Sequence, residues 1–409
     1  MRADRLVRGI DVLLTMDPAL GEGPLGRIRG GAVAFVGSRI AWVGRSADAP
    51  AADAVTDGEG LVGMPGLVDC HTHAVWAGDR APEFERKLAG ESYSSILESG
   101  GGILSTVLAT RAASLEDLAA GGRLRLRRAL AQGVTTIEVK SGYGLDPDTE
   151  VRLLRASALA ADIGIEVVPT FLGAHTLPEE YRSDRAEYVR QVIDDQLPRV
   201  AGLARFVDVY IDRGAFTVDE GRAILIAGRK YGLLPKVHAE QVSYTGAAAM
   251  AAELGAVSAD HLERIDDAGI EAMKRNGTVA VMLPGAMTYL RDSSPPTEKL
   301  RLAGVPMAVA TDLNPGSSPV RDLWTCATLA CLTMKLTISE ALWGITRGGA
   351  LALARPDLGA LRPGNVANLS LYALPTGTTT EAALIHQMGP HAAAAVFRNG
   401  QCLAAIPAL

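Results

Sequence analysis

Two histidines stand two residues apart in "PGLVDCHTHAVWAG", His71 and His73. A short apolar run after Pro-Gly reads as a buried strand, and side chains on a strand alternate faces. His71 and His73 therefore point the same way, and two imidazoles on one face can grip one metal ion. Three more histidines end similar apolar runs: His175 in "FLGAH", His238 in "PKVHAE" and His261 in "SADHLE". Asp312 ends "VPMAVATD". Imidazoles with one carboxylate suit Zn²⁺ or Fe²⁺, with a position left open for water. Water on such an ion has a pKa of roughly 7, so hydroxide is available near neutral pH. Asp312 beside the ion can accept that water's proton and return it to a leaving nitrogen. His261 and His175 can polarise or anchor a carbonyl. The chemistry is hydrolysis of an amide-like or amidine-like bond.

Taken singly, each residue has a plainer reading. A single His is commonly a hydrogen-bonded core residue, and Asp before Leu-Asn-Pro-Gly can open a turn. Coincidence weighs against that: five of the seven histidines end predicted strands, and only His386 and His391 lie elsewhere. Lys140, which ends "TTIEVK", has two readings. It is either carbamylated to bridge two metals or paired with Glu138 or another carboxylate. One metal is the expectation.

The elements that must position these residues are legible from punctuation. Gly133, Gly164, Gly232, Gly255, Gly277 and Gly304 each precede a β-type run, and Gly just past a helix accepts the left-handed conformation. Thr217 with Glu220 and Thr337 with Glu340 fit capping boxes. With the runs at Gly66–His73 and Phe206–Asp212, eight strands alternate with helices. That predicts an α/β fold with a (β/α)₈ TIM-type barrel, whose active sites sit at the C-terminal ends of the strands. An open doubly wound sheet would bring a Gly-rich phosphate loop, and none follows the first strand. The ends of the chain are different in character. "GAVAFVGSRIAWVG" and "AAAAVFRNGQCLAAI" read as hairpins turning at Gly37-Ser38 and Asn399-Gly400. Residues 1–64 and 362–409 are therefore expected to form one small β-sandwich domain, with the barrel over 65–361.

Composition narrows the function classes. The chain has 409 residues, 48% hydrophobic and 21% charged, with a formal net charge of −6, which gives no basic footprint for nucleic acid. Cys70, Cys326, Cys331 and Cys402 show no metal-knuckle spacing and read as reduced thiols. No stretch is long and apolar enough for a membrane helix, and the N-terminus lacks a signal-type core. The expectation is a cytoplasmic protein.

Longer blocks carry a resemblance. "PGLVDCHTHAVWAGDRAPEFERKLAGESY", "GGGILSTVLATRAAS", "EVKSGYGLD", "FLGAHTLPEEY", "KVHAEQVS", "SADHLE" and "ATDLNPGSSP" resemble the imidazolonepropionase family of the amidohydrolase superfamily. The resemblance implies ring opening of 4-imidazolone-5-propanoate to N-formimidoyl-L-glutamate, in histidine degradation. It implies one divalent metal, Zn²⁺ or Fe²⁺ (or Fe³⁺), held by His71, His73, His238 and Asp312, with Asp312 as proton shuttle. By motif, Arg80, Tyr93 and Tyr143 would receive the substrate, Arg80 forking its propanoate carboxylate. His175 and Gln241 would contact the ring, and His261 would assist at the carbonyl or the water. Asn314, Gly316 and Ser317 would meet the product-like end. Gln241 stands where some relatives carry Glu, which leaves proton work to Asp312, with Glu240 next door. A homodimer is also implied. The nearest rival is a deaminase or hydrolase of another nitrogen heterocycle, guanine-like or cytosine-like. A non-catalytic barrel scaffold would predict decayed ligand positions, and all are filled.

Overall fold

The computed structural model describes residues 2–91, 101–374, 378 and 380–403. The N-terminal segment supplies β1 (Ala3–Leu14), β2 (Arg27–Val36), β3 (Arg39–Arg45), β4 (Ala52–Asp57) and β5 (Leu61–Pro65). Gly37-Ser38 turns β2 into β3, with Val36 opposite Arg39. Chain direction then changes function across Gly66, where β5 passes into the first strand of the barrel.

The barrel strands are β6 (Leu67–Asp69), β7 (Val134–Lys140), β8 (Glu166–Ala174), β9 (Phe206–Ile211), β10 (Leu234–Ala239), β11 (Ser258–His261), β12 (Val279–Met282) and β13 (Met307–Val309). They lie side by side in chain order, as the eight predicted runs require. The helix-ending glycines all carry the positive φ expected of them. Both capping boxes form, Thr217 with Glu220 and Thr337 with Glu340. Strand β9 shows how a barrel strand divides its faces. Val207, Val209 and Ile211 face the helix Val218–Lys230, where a Cβ on Gly228 would lie 2.5 Å from Val207. Asp208 takes the inward face and is fully buried.

The C-terminal segment adds β14 (Leu369–Ala373), β15 (Ala395–Arg398) and β16 (Gln401–Leu403). Asn399-Gly400 forms the β15–β16 turn, with φ of 51° and 76° and Arg398 opposite Gln401. These strands continue the N-terminal sheet in the order β16-β15-β14-β5-β1-β2-β3, with β4 against β1. β14 runs antiparallel to β5, Leu369 opposite Pro65, so both termini build the sheet that launches the barrel.

Closure of the barrel has a particular form. β6 and β13 are only three residues each. Beyond their ends, the Asp312 N–H donates to His71 O at 3.0 Å and the His73 N–H donates to Leu313 O at 2.9 Å. Below this, the Asp69 carboxylate accepts from the Thr311 N–H (3.1 Å) and hydroxyl (2.7 Å). His71 and His73 thus sit just past the regular strand rather than on it. The seam itself carries them and Asp312.

Candidate metal centre

Five imidazoles converge where the strands end. The rings of His71 and His238 have centroids 4.6 Å apart, His71 and His73 5.5 Å, and His238 and His261 5.5 Å. His175 stacks on His73 at 5.0 Å. Potential ligand atoms of His71, His73 and Asp312 lie within 4.8 Å of one another, as do those of His71, His238 and His261. His71 belongs to both groups, so it sits at the middle of the constellation.

Buried imidazole nitrogens without a hydrogen bond gather here, although His261 Nδ1 lies 3.8 Å from Glu263 and His73 turns Nε2 rather than Nδ1 toward Asp312. His71 Nε2, His73 Nδ1, His238 Nε2 and His261 Nδ1 are all buried without a hydrogen bond. Leaving such an atom unpaired costs about 1–3 kcal/mol each, and His71 Nε2 with His238 Nε2 side by side is the arrangement of a cation site rather than of a polar core. The opposite edges of His71 and His238 are well held. His71 Nδ1 lies 2.6 Å from Asp260 Oδ2, and His238 Nδ1 lies 3.0 Å from Asp208 Oδ2. A carboxylate only accepts, so both rings carry the proton on Nδ1 and present a lone pair on Nε2. Burial, reinforced by the neighbouring cationic groups, pushes His71 and His73 well below the ordinary imidazole range, so both are neutral. Neutral, pre-oriented imidazoles are what a divalent ion needs.

Asp312 is buried beside them, with Oδ1 3.4 Å from His71 Nε2 and 3.5 Å from His73 Nε2. Burial raises its pKa to about 6 against the opposing pull of His261 and His238. For His261, burial is outweighed by Glu263, Asp312 and Asp260, which hold its pKa above the usual value. The backbone here is strained: Glu240, His261, Leu262 and Asp312 all have positive φ. Non-glycine residues pay about 1–3 kcal/mol each for that conformation, which marks the ends of β10, β11 and the last strand as shaped for a task.

A cavity of about 810 Å³ opens onto this cluster. Arg80, Tyr143, His175, Gln241, His261, Asp312, Asn314, Gly316 and Ser317 all line it, together with His73 and His238. His71 lies behind them, fully buried. Tyr93 lies outside the described residues. Tyr143 is held by its loop, whose Gly142, Gly144 and Leu145 N–H groups all donate to the buried Glu150 carboxylate. Asn314 spends its side chain on its own loop, accepting from Gly316 and Ser317 N–H at 2.9 and 2.7 Å. Glu240 turns away to accept from Thr245 and the Ala248 N–H at the start of the next helix, so it is a capping group.

The Arg80 guanidinium is clamped on one edge. Its Nε and one terminal nitrogen donate to Glu83 at 2.6 and 2.7 Å. The remaining edge faces Gly316, where an added Cβ would lie 2.8 Å from the guanidinium. Partial burial disfavours the Glu83 charge, but Arg80 and the Gly102 N–H outweigh it and hold its pKa down at about 2. A depressed folded pKa gives stability that is present above the unfolded value and lost as pH falls toward 2. Glu83→Gln is therefore expected to flatten the acid limb of an unfolding-versus-pH curve below about pH 4.5. It should also raise KM several-fold at constant kcat, since it frees Arg80; an unchanged KM would show that the clamp is incidental.

Sequence reading missed Asp208, Asp260, Glu83 and Glu263. The first two hold Nδ1 of His238 and His71 and were visible only as single carboxylates within apolar strands. Lys140 does not reach the mouth. Its Nζ lies 2.7 Å from Asp208, 3.0 Å from Glu138 and 3.6 Å from Asp260, with no exposed side-chain surface. Despite burial, those carboxylates hold it firmly protonated. A carbamate needs a neutral amine, so the ion-paired reading is the one that fits.

The amidohydrolase family model matches residues 62–403. The chain is 47% identical to an imidazolonepropionase of Polaromonas sp. (strain JS666), over 90% of this chain and 88% of that one. It is 46% identical to an imidazolonepropionase of Caulobacter vibrioides, over 95% and 97%. Among solved structures it is similar to an adenosine deaminase from Xanthomonas campestris with bound zinc, with a TM-score of 0.73 at 19% identity, covering 98% and 93%. An atrazine chlorohydrolase from Arthrobacter aurescens complexed with zinc matches with a TM-score of 0.70 at 18% identity, covering 97% and 94%. At such identities these two structures speak for the fold alone.

Proposed function

Because the chain belongs to the amidohydrolase family and, within it, to the imidazolonepropionases, we propose that it opens the ring of 4-imidazolone-5-propanoate with water. The product is N-formimidoyl-L-glutamate, a step in histidine degradation. One observation carries the reading to this substrate. A single cavity joins unpartnered imidazole nitrogens beside Asp312 to a ring of cations. Among the described lining residues Arg80, Lys87, Arg182, Arg185 and Arg213 are cationic, and Asp312 is the only carboxylate. Carboxylates outside the lining pair four of these cations, Glu83 with Arg80 and Lys87, Glu179 with Arg182 and Glu220 with Arg185. What the cavity offers an anionic substrate is therefore oriented donor groups rather than a large net field.

His71, His73, His238 and Asp312 would hold one divalent ion, with His261 in reach of the same space. Such an ion, zinc or iron, acidifies water and polarises a carbonyl. The residues of the chain do the rest. Arg80 offers its remaining edge, whose Nη1 otherwise donates to the Thr106 hydroxyl at 3.4 Å, to the propanoate carboxylate and fixes the ring's depth. His175 donates Nδ1–H to Gly142 O at 3.0 Å, leaving Nε2 as an acceptor for a ring N–H. Burial lowers the pKa of His175 to about 3, so it stays neutral throughout the working range. Gln241 completes the ring contacts. Asp312 takes a proton as the water oxygen bonds to the ring carbonyl carbon. It returns that proton to the ring nitrogen as the carbon–nitrogen bond breaks, leaving a new carboxylic acid that ionises by giving its proton to solvent. His261, kept readily protonated by Glu263, stabilises negative charge on the carbonyl oxygen.

The barrel at 65–361 is the catalytic unit in this reading, and the sheet of both termini is its support. We place the protein in the cytoplasm as a homodimer; no helix among the described residues is long and apolar enough to cross a membrane. Sedimentation at micromolar concentration tests the dimer. For the activity, purified protein is expected to consume freshly made 4-imidazolone-5-propanoate well above its spontaneous decay. Prolonged chelation should abolish turnover, and Zn²⁺ or Fe²⁺ should restore it. Metal-loaded protein that leaves this substrate untouched would overturn the assignment.

A further inference from the structure

The buried ammonium of Lys140 lies behind His71 and His238 and faces both of the carboxylates that hold them. Asp260 accepts from His71 Nδ1 on one side, and Asp208 accepts from His238 Nδ1 on the other. The ammonium of Lys140 lies between, 2.7 Å from Asp208 and 3.6 Å from Asp260. Lys236 does not duplicate it, because that Nζ donates to Glu138 and to Cys70 O at 2.8 and 3.2 Å. Every side chain in this charged group is shut off from solvent.

Two carboxylates buried this close repel each other in a medium of low dielectric. Without a shared cation they would turn apart, and each imidazole would turn with its acceptor. We infer that Lys140 is a positioning residue that bridges Asp208 and Asp260 and so sets the two metal-facing imidazoles, His71 and His238, in register with one another. The two arms are unequal. Asp260 is also held by the Ser258 hydroxyl at 2.6 Å, whereas among the described residues Asp208 has only His238 and Lys140. The His238 arm therefore depends on the lysine more strongly. Outer partners of metal histidines typically matter by 10- to 100-fold in metal affinity.

The inference rests on His71 and His238 being metal ligands, and the test separates the two claims. Zn²⁺ alone is titrated into metal-free full-length protein against a fluorescent chelator, with circular dichroism and thermal melting to confirm folding. His238→Ala is the control: if it keeps wild-type Zn²⁺ affinity, the ligand assignment itself fails. Lys140→Met is expected to bind Zn²⁺ about 10- to 100-fold more weakly. Adding Asp208→Asn should weaken it little further, because the lysine acts through that carboxylate. The charge-balanced pair Lys140→Met with Glu138→Gln is expected to regain thermal stability but not Zn²⁺ affinity. It is also the variant to read if Lys140→Met alone does not fold. Wild-type affinity in either folded variant, or fully additive losses with Asp208→Asn, overturns the inference while leaving the ligands standing.

Discussion

Asp312→Asn is expected to lower kcat by about 10²–10⁴-fold, the range spanned by loss of a positioned proton carrier. The change keeps shape and burial but removes the acceptor that, in the proposed mechanism, holds a proton between water and the leaving nitrogen. KM should move little, because the Arg80 side of the cavity is untouched. Metal content decides how the loss is read. With three histidines left to hold the ion, near-stoichiometric metal together with low kcat assigns the loss to proton transfer. Metal lost in parallel assigns it to ligation. A variant that retains wild-type kcat removes Asp312 from the chemistry altogether.

The second large effect concerns substrate choice. Arg80→Met is expected to cut kcat/KM by about 10- to 100-fold, corresponding to about 1.5–3 kcal/mol for a charged hydrogen-bonding contact. The loss should appear mainly in KM. A 4-imidazolone lacking the propanoate arm supplies the control. Wild-type protein should disfavour it by a similar factor, and Arg80→Met should be nearly indifferent between the two. If wild type turns both over equally, the cavity belongs to a hydrolase of uncharged heterocycles. Gly316→Ala is expected to behave as a milder version, because its Cβ would push on the same guanidinium.

The barrel was legible because its signals are local. Glycine at helix ends, capping boxes and β-branched runs each act within a few residues, and they gave eight strands in the right places. The histidines were legible because they end those strands, so the fold carries them to one mouth. Residues whose role depends on neighbouring strands were not. Asp208 and Asp260 look like interruptions of apolar runs until β9, β10 and β11 lie side by side, with His238 opposite Tyr210 and Asp260 in register. Lys140 ends its strand, which by itself leaves both a carbamylated and an ion-paired lysine open. Its N–H donates to Thr72 O, level with the histidines, but its ammonium turns to Asp208, Glu138 and Asp260 and stays out of the cavity lining. The Arg80–Glu83 clamp lies within one stretch of sequence, spaced i to i+3. There the side-chain pairing was readable, but its direction toward Gly316 was not.

The seam between the first and last barrel strands has a consequence for how the protein matures. Asp69 and Thr311 are 242 residues apart, so this contact completes only after nearly the whole barrel has been synthesised and ordered. The two amide bonds that finish it belong to His73 and Asp312, and an ion held by those side chains would staple the barrel's two free edges. Amide hydrogens of His73 and Asp312 should thus exchange with deuterium quickly in stripped protein and slowly after metal loading. Amides in the middle of β9 and β10 should hardly respond. In the cell, a chain that has not acquired its ion would be open along one line, and a protease would find that line first.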